Sequence, residues 1–271
     1  MDFVGVVYYN ICMSIGIAII TCDRVPMFES CIKSIYDSHN NKIDHIVVVN
    51  DGVEDIPGGD YITIHNENNV GVGESKNIAL RRLIDLGCEH LFLVEDDIVF
   101  LAGDVIDQYI KLSDVSGVKH LNFCLHGDAN KRLNVAAPKL VIDYKDIKMA
   151  LYHNVTGALS YYHKSVIEEC GLMDDEYRNA MEHVDHTMRV INAGHHPPFR
   201  WFADVAESDK LIGDQDPSLV ESKIRNEEEW HENFVHGVKL FHERYGVNVC
   251  STEQINDTKE QVVEYLKNVK P

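Results

Sequence analysis

Short runs of β-branched residues alternate with helical patterns from residue 14 onward. Residues 15–21, 45–50, 61–65 and 90–94 are four such runs, and each is predicted to be a strand. The apolar residues after the first run recur at helical spacing: Met27, Cys31, Ile32, Ile35 and Tyr36. A second helical pattern, which ends before Gly87, has these apolar positions: Ile78, Leu80, Leu83, Ile84 and Leu86. This alternation predicts an α/β fold with a mostly parallel sheet flanked by helices on both faces.

The second half of the chain has a more mixed pattern. Residues 120–124 and 151–162 have the composition of strands. Residues 165–170 predict a short helix, and residues 182–193 predict a longer one that ends at a glycine. These elements continue the α/β pattern, although helices and strands no longer alternate regularly.

Beyond residue 214 the chain becomes strongly polar, which predicts a different kind of structure. Two helices are expected there, over residues 222–245 and 252–269. The simplest organisation is an N-terminal extension over residues 1–12, one α/β catalytic domain over residues 13–213, and a helical C-terminal extension over residues 214–271 that packs on it.

The composition is that of a globular protein, with 45% hydrophobic and 25% charged residues among 271. The 25 Lys and Arg against 44 Asp and Glu give a net charge of −19. This charge disfavours a broad nucleic-acid-binding surface, but it leaves a local basic groove open.

The cysteines and the start of the chain bear on its location. Seven cysteines are widely spaced and form no C-x-x-C pair, so neither a disulfide framework nor a structural zinc site is indicated. Residues 3–20 are mostly apolar, but Asn10 and Ser14 interrupt them and no Lys or Arg precedes Arg24. A signal peptide and a membrane anchor are therefore disfavoured, and a cytoplasmic protein without stable membrane insertion is expected.

Three acidic residues, Glu95, Asp96 and Asp97, directly follow the fourth apolar run. In open α/β sheets, ligands bind at the carboxyl ends of the strands. Two unit charges about 4 Å apart repel by about 4 kcal/mol at an effective dielectric of about 20, so packed carboxylates need a cation or a raised pKa. Oxygen ligands favour Mg²⁺ or Mn²⁺. The alternative is a solvated acidic turn at the end of a strand.

A glycine-bearing segment over residues 69–77 lies between the third strand and the second helix. Glycines allow close approach of the backbone to a phosphate, a helix amino end favours anions, and Lys76 adds a positive charge. Lys76 occupies the place of the third glycine of a dinucleotide fingerprint, and P-loop spacing is absent. A turn that merely begins a helix is the alternative.

Six segments in this order resemble the family 2 type of GT-A glycosyltransferases. They are residues 15–24, 47–52, 69–77, 95–97, 156–160 and 182–189, within a match over residues 14–204. The resemblance implies a GT-A fold and a nucleotide-sugar donor. It also implies the residues that hold this donor: Thr21, Asp23, Arg24, Asp51, Asn69, Gly71, Gly73, Lys76, Glu95 and Asp96. The acidic triplet matches the metal-binding D-x-D element in a Glu-x-Asp form, which implies Mn²⁺ or Mg²⁺ with Asp97 as the direct ligand and Glu95 as a second.

An inverting transferase also needs a base that takes the proton of the acceptor hydroxyl. The family places this base as an Asp at the start of the helix that carries Arg189, and that position here is His183. Glu182 ranks first because a carboxylate is the usual base, His183 follows closely, and Asp185 is third. Caps of the helix are the structural alternative for the two carboxylates.

The function that follows is transfer of a sugar from a nucleotide donor, expected to be a UDP-sugar, to an acceptor hydroxyl with inversion and with a metal ion. The acceptor is either a glycan or a hydroxymethylated DNA base of a phage, because the triplet and residues 201–204 also resemble phage DNA-modifying transferases. One alternative is a sugar-phosphate nucleotidyltransferase, although residues 21–24, after the first strand, lack the glycine-rich basic loop that this class needs. The other is a non-catalytic sugar-nucleotide-binding relative.

Overall fold

The computed structural model describes residues 14–39, 42–215, 228–249 and 258–270. The strands are β1 Ile15–Thr21, β2 His45–Asn50, β3 Ile62–His65, β4 His90–Glu95, β5 Ile98–Phe100, β6 His120–Asn122, β7 Lys131–Arg132, β8 Val135–Ala136, β9 Leu140–Asp143, β10 Lys148–Tyr152, β11 Leu159–His163, β12 Phe202–Val205 and β13 Ile212–Asp214. The helices are α1 Val25–His39, α2 Val72–Asp85, α3 Val105–Ser116, α4 Lys164–Cys170, α5 Glu182–Asn192, α6 Glu228–Tyr245 and α7 Lys259–Asn268. The predicted extension over residues 1–12 lies outside the described residues.

The central sheet has six strands in the order β3-β2-β1-β4-β11-β6. Its first four strands are parallel, and β11 runs antiparallel to both of its neighbours. The predicted bounds of β1 and β2 are confirmed to the residue. The predicted α/β class with a mostly parallel sheet is also confirmed.

Alternate residues of the central strands face two separate apolar cores. In β1, Ile17 and Ile19 pack into one core and Ala18 and Ile20 into the other, as the period of two in a strand requires. Helices α1 and α3 cover the first face, whereas α2, α4 and α5 cover the second. Helices therefore flank the sheet on both faces, as the sequence predicts.

Within residues 14–213, three predicted elements differ from the structure by more than one residue. The predicted strand over residues 151–162 is wrong, because β10 and β11 are two strands of different sheets. Asn154 bonds to the backbone of Ala129 and to the Asn130 side chain, and the chain leaves one sheet there and crosses to the other. Strand β6 ends before Cys124, whose amide donates to Asp204 Oδ2 at 2.8 Å. Helix α2 starts at Val72, so the second half of the predicted glycine-bearing loop is helical.

The C-terminal helices pack on the α/β core at two places. Phe241 of α6 is buried against Tyr177 and Met181, which precede α5. Val262 of α7 joins the first core. The start of each predicted helix, at residues 222 and 252, lies outside the described residues, and the proposed domain boundaries stay a prediction. Within the described ranges, every helix is either too short or too polar to cross a membrane.

Candidate active site at the carboxyl edge of the central sheet

The acidic triplet lies where β4 ends and the chain turns into β5. Strand β1 runs parallel to β4 and ends beside it at Thr21, with Ile20 paired to Glu95. Arg24 follows in the short connection to α1. Because the parallel strands end at one edge, the sheet brings these side chains together as the sequence predicts.

Asp96 is fully buried and bound on both carboxylate oxygens. Thr21 Oγ1 donates to Asp96 Oδ2 at 2.6 Å, and an Arg24 guanidinium nitrogen donates to Oδ1. The Gln215 side chain donates to the Asp96 carbonyl at 2.7 Å. Burial raises the pKa of Asp96 to about 7, and the neighbouring acidic residues add to this, whereas Arg24 opposes it. Asp96 therefore ties the ends of β1 and β4 together.

Asp97 has a carboxylate oxygen that no described residue satisfies. Oδ1 is buried and lacks a hydrogen-bond partner in the described part of the chain. Oδ2 lies 3.6 Å from Arg24 Nη1, and the side chain is 13% exposed. Burial, followed by the charge of Glu95, raises the pKa of Asp97. A buried oxygen without a donor is a position where a cation would be favourable.

Lys76 joins the acidic triplet to the first residue of α5. Its Nζ lies 2.7 Å from Glu95 Oε1 and 3.0 Å from Glu182 Oε1, and its side chain is only 1% exposed. Burial alone would raise the pKa of both carboxyls, but the Lys76 ammonium holds the pKa of Glu95 and of Glu182 below the usual range. Buried Lys76 therefore lies between two negative charges, buried Glu182 and partly exposed Glu95.

Gly157 marks the point where this cluster meets His183. A Cβ atom at Gly157 would lie 3.1 Å from both Glu95 Oε1 and Lys76 Nζ, and 3.3 Å from His183 Nδ1. His183 Nδ1 also lies 3.2 Å from Glu182 Oε1. The absence of a side chain at Gly157 lets these polar atoms converge on one small volume.

The residues present fit a divalent ion that takes most of its ligands from substrate and water. Within the described ranges, no group of three or more His, Cys, Asp or Glu side chains could hold a metal. Asp97 offers its unpartnered oxygen, whereas Glu95 Oε1 is already bound to Lys76. Mg²⁺ in particular binds through one or two carboxylates together with substrate phosphates and water, so this sparse set is compatible with it.

Asp51, a predicted donor ligand, is occupied by the backbone of the glycine-bearing segment. Its carboxylate accepts hydrogen bonds from the amides of Val70 at 2.9 Å and Gly71 at 3.0 Å, and from the Asn66 side chain at 2.8 Å. Asn69 donates to the Asp51 carbonyl at 3.0 Å. These contacts fix the loop before α2, and the predicted donor roles of Asp51 and Asn69 stay predictions.

Gly71 and Gly73 pack closely against the segment that leads to α5. Gly71 has a φ of 89°, and a Cβ there would lie 2.8 Å from both Arg178 Cγ and Asn179 Oδ1. A Cβ at Gly73 would lie 2.9 Å from the Tyr177 carbonyl. Close packing within the protein therefore explains both glycines, and approach to a phosphate stays a prediction.

Asp23 also holds a loop rather than pointing freely into the cluster. Its Oδ1 accepts hydrogen bonds from the amides of Val53 at 2.7 Å and Glu54 at 2.8 Å. Asp23 has a φ of 49°, in the left-handed region where Asp is more tolerated than most residues. It links the loop after β1 to the loop after β2.

Asp185, the third candidate base, lies away from the cluster. Its carboxylate is fully buried between α5 and α6. Oδ2 accepts from Arg189 Nε at 3.1 Å, and Oδ1 accepts from the Tyr245 hydroxyl at 2.9 Å. Arg244 Nη1 lies 3.5 Å from Oδ1. The structure therefore brings Glu182 and His183 to the cluster and leaves Asp185 outside it.

His126 and Asp214 are near the acidic triplet but were not predicted from the sequence. His126 Nδ1 lies 2.8 Å from Asp214 Oδ1. Burial alone would lower the pKa of His126, but Asp214, Asp97 and Glu95 together raise it. A single histidine after a short strand carries no sequence signal for this position.

Comparisons with known proteins identify the fold. No protein-family model and no curated protein matches the chain. The crystal structure of S. aureus TarS 1–349 has a TM-score of 0.52 and 13% identity, and the match covers 95% of this chain and 79% of that one. TarS 1–349 in complex with UDP has a TM-score of 0.53 and 13% identity, over 92% of this chain and 75% of that one.

A weaker match is to the mannosyltransferase PcManGT from Pyrobaculum calidifontis in complex with GDP-Man and Mn²⁺. Its TM-score is 0.41 at 16% identity, over 59% of this chain and 47% of that one. The TarS structures match nearly the whole chain and share its mixed, mostly parallel sheet with flanking helices. The chain therefore has the fold of the GT-A type glycosyltransferases.

Proposed function

We propose that the protein is a metal-dependent glycosyltransferase that moves a sugar from a nucleoside diphosphate donor to a hydroxyl acceptor with inversion. The observation that carries the proposal is the buried Asp97 oxygen without a donor at the carboxyl end of β4. It lies beside Arg24, at the sheet edge where this fold class binds ligands. Among the described residues, Asp97 is the side chain best prepared to meet a cation.

In this proposal, Asp97 would hold Mn²⁺ or Mg²⁺, with Glu95 as a second ligand. A bound ion would neutralise charge that develops on the departing nucleoside diphosphate. Arg24 stays partly exposed beside Asp97 and supplies a fixed positive charge on the same side. Thr21 and Arg24 hold Asp96, so the edge that faces the donor is rigid before the donor binds.

Two further features support transfer to an acceptor with inversion. The connection from β1 to α1 is short and holds no glycine, which disfavours the nucleotidyltransferase alternative. A double displacement needs a nucleophilic carboxylate that faces the sugar, but Lys76 binds Glu182 and the α5–α6 contact buries Asp185. Single displacement is the simpler chemistry for this site.

The test measures donor binding by the whole chain. UDP is the first nucleotide to try, because TarS of the same fold has been solved with it. The melting temperature should rise with UDP and Mn²⁺ together, since a ligand at about 100 times its Kd stabilises the folded state by about 2.7 kcal/mol. Asp97→Asn should abolish the Mn²⁺-dependent part of the rise, whereas Asp85→Asn, at the exposed end of α2, should preserve it.

The same experiment separates the alternatives. Release of UDP from a UDP-sugar, lost in Asp97→Asn, supports an enzyme rather than a sugar-nucleotide-binding relative. An equal rise with and without Mn²⁺ would contradict the metal assignment. If neither UDP nor a panel of UDP-sugars and GDP-sugars changed the melting temperature, the proposed function would be wrong.

A further inference from the structure

Of the three side chains that the sequence offers as the acceptor's base, His183 is by far the most exposed. Its side chain is 21% exposed, compared with 4% for Glu182 and none for Asp185. Arg189, Tyr245 and Arg244 already surround the Asp185 carboxylate. A base must come within hydrogen-bond distance of the proton that it takes, and this favours His183.

Glu182 is held as a carboxylate that accepts hydrogen bonds within the protein. The same oxygen, Oε1, lies 3.0 Å from Lys76 Nζ and 3.2 Å from His183 Nδ1. Lys76 also keeps the pKa of Glu182 low against the effect of burial, and a weakly basic carboxylate is a poor proton acceptor near neutral pH. Glu182 is therefore better suited to orient a neighbour than to take the proton itself.

The Glu182 carboxylate also determines which nitrogen of His183 carries the proton. An ionised carboxylate can only accept hydrogen bonds, so Nδ1 of a neutral His183 must be the donor in this contact. Nε2 then keeps its lone pair and can accept a proton. This arrangement is the logic of a carboxylate–histidine pair, in which the carboxylate fixes tautomer and orientation.

His183 also lies close to the end of the site that we assign to the diphosphate. A Cβ at Gly157 would be 3.3 Å from His183 Nδ1 and 3.1 Å from Glu95 Oε1. The distance between His183 Nδ1 and Glu95 Oε1 therefore cannot exceed the sum of these two distances. Glu95 precedes Asp97 by two residues. The imidazole therefore borders the same cluster at the carboxyl edge in which we place the donor.

We propose that His183 is the general base of the transfer and that Glu182, held by Lys76, is its positioning residue. This assignment rests on the proposed function. The acceptor oxygen forms a bond to the anomeric carbon, and its proton passes to His183 Nε2. The bond from that carbon to the donor phosphate oxygen breaks, and its electron pair leaves with the nucleoside diphosphate. The imidazolium returns its proton to water after the product departs.

The test compares His183→Ala and His183→Gln with the unchanged protein. UDP-glucose, UDP-galactose and UDP-N-acetylglucosamine are supplied with Mn²⁺ and with water as acceptor, and released UDP gives the rate. Both variants should lose at least about 100-fold in kcat, because general base catalysis contributes at least that much. Their Kd for UDP, measured by calorimetry, should stay within about twofold. Added imidazole should restore part of the rate of His183→Ala.

Glu182→Gln tests the positioning role. It should lower kcat while the KM for the donor stays nearly constant, because Glu182 is only 4% exposed and, in this assignment, acts through His183. A matched control lies beyond the other end of α5, where His195 Nε2 is 2.7 Å from Glu169 Oε2. His195→Ala and Glu169→Gln remove a similar histidine–carboxylate contact, and both should keep the full rate without any response to imidazole.

The outcomes distinguish the assignment from the function on which it rests. If the unchanged protein turns over a donor and His183→Ala does so at nearly the same rate, the base assignment is wrong and the proposed function survives. If both His183 variants lose UDP binding together with the rate, His183 is a donor-binding or structural residue. If the unchanged protein releases UDP from none of the donors and binds none of them, the proposed function fails and the assignment fails with it.

Discussion

The Tyr245 hydroxyl donates a 2.9 Å hydrogen bond to Asp185 Oδ1, which joins the end of α6 to the first turns of α5. Arg244, the preceding residue, binds Asp174 at 2.7 Å and Glu176 at 3.0 Å in the segment before α5. Helix α6 thus braces the helix that carries Glu182 and His183. Asp185 serves this brace, which explains why an acidic residue lies near the predicted base without reaching the site.

Tyr245→Phe should destabilise the protein by about 1–3 kcal/mol, because it removes a hydrogen-bond donor from the buried carboxylate oxygen Asp185 Oδ1. Chemical denaturation measures the change. Tyr36→Phe is the matched control, since the Tyr36 hydroxyl bonds to the Asp60 carbonyl in an exposed setting, and its cost should stay below about 0.5 kcal/mol. Equal costs for the two variants would contradict the bracing role of α6.

Two glycines with similar φ angles differ in what a side chain would contact. Gly71 has a φ of 89° and Gly87 a φ of 82°, but a Cβ would meet Arg178 and Asn179 only at Gly71. At Gly87, no described atom lies within 4 Å of that Cβ. Gly87→Ala should therefore cost about 1 kcal/mol from the left-handed backbone alone.

Gly71→Ala should cost at least about 1 kcal/mol more than Gly87→Ala, because a methyl group would also displace the segment before α5 and because the ψ of 163° at Gly71 belongs to a region that is essentially restricted to glycine. Urea unfolding of the two variants gives this difference directly. Equal free energies of unfolding would show that the segment moves aside without cost. In that case the close contact would not be the reason for glycine at position 71.

The ends of the central strands could be predicted from the sequence because these strands are buried on both faces. Residues of β1 and β2 are apolar on both sides, as a central parallel strand requires, and this pattern determines where each strand ends. The acidic triplet then follows at a known edge. Helix α2 was predicted too short because its first turn is built from polar residues whose burial depends on the segment before α5.

The partners of the site residues were not predictable in the same way. Lys76 has the charge and position of a phosphate ligand along the chain, yet its ammonium binds Glu182, which is 106 residues away. Asp51 likewise reaches Gly71 across a loop. Such contacts depend on how separate elements pack, and one sequence carries no periodic signal for them.

Removal of the Lys76 charge should have a large effect on stability. Lys76→Met leaves the carboxylates of Glu95 and Glu182 without the cation between them, and breaking a buried ion pair on one side costs about 3–5 kcal/mol. The free energy of unfolding in guanidinium chloride measures it. Lys33→Met removes a lysine from an exposed pair with Asp37 and should change stability by less than about 0.5 kcal/mol. If Lys76→Met changed stability as little as Lys33→Met, water would have to enter readily among Lys76, Glu95 and Glu182.

Two buried histidines predict a loss of stability in mild acid. Burial lowers the pKa of His186 to about 4, and the charge of Arg189 adds to the shift. Burial also lowers the pKa of His196 to about 4, although the Pro197 carbonyl opposes this. Among the described residues, no partner is found for His186 Nδ1, so the folded protein offers nothing there to stabilise an added proton.

The free energy of unfolding should decrease as the pH falls. The reason is that the unfolded chain, with histidine pKa values of about 6.5, binds protons more tightly than the folded one. The stabilisation is complete above about pH 6.5 and is lost as the pH falls toward 4, by on the order of 3 kcal/mol for each histidine. Denaturation between pH 7.5 and about 4.5 should show this slope. His186→Gln and His196→Gln should each flatten it, whereas His236→Gln, on the exposed face of α6, should leave it unchanged. A slope that neither buried variant alters would contradict this assignment, and other groups with shifted pKa values, such as His120 and His153, would account for the acid sensitivity.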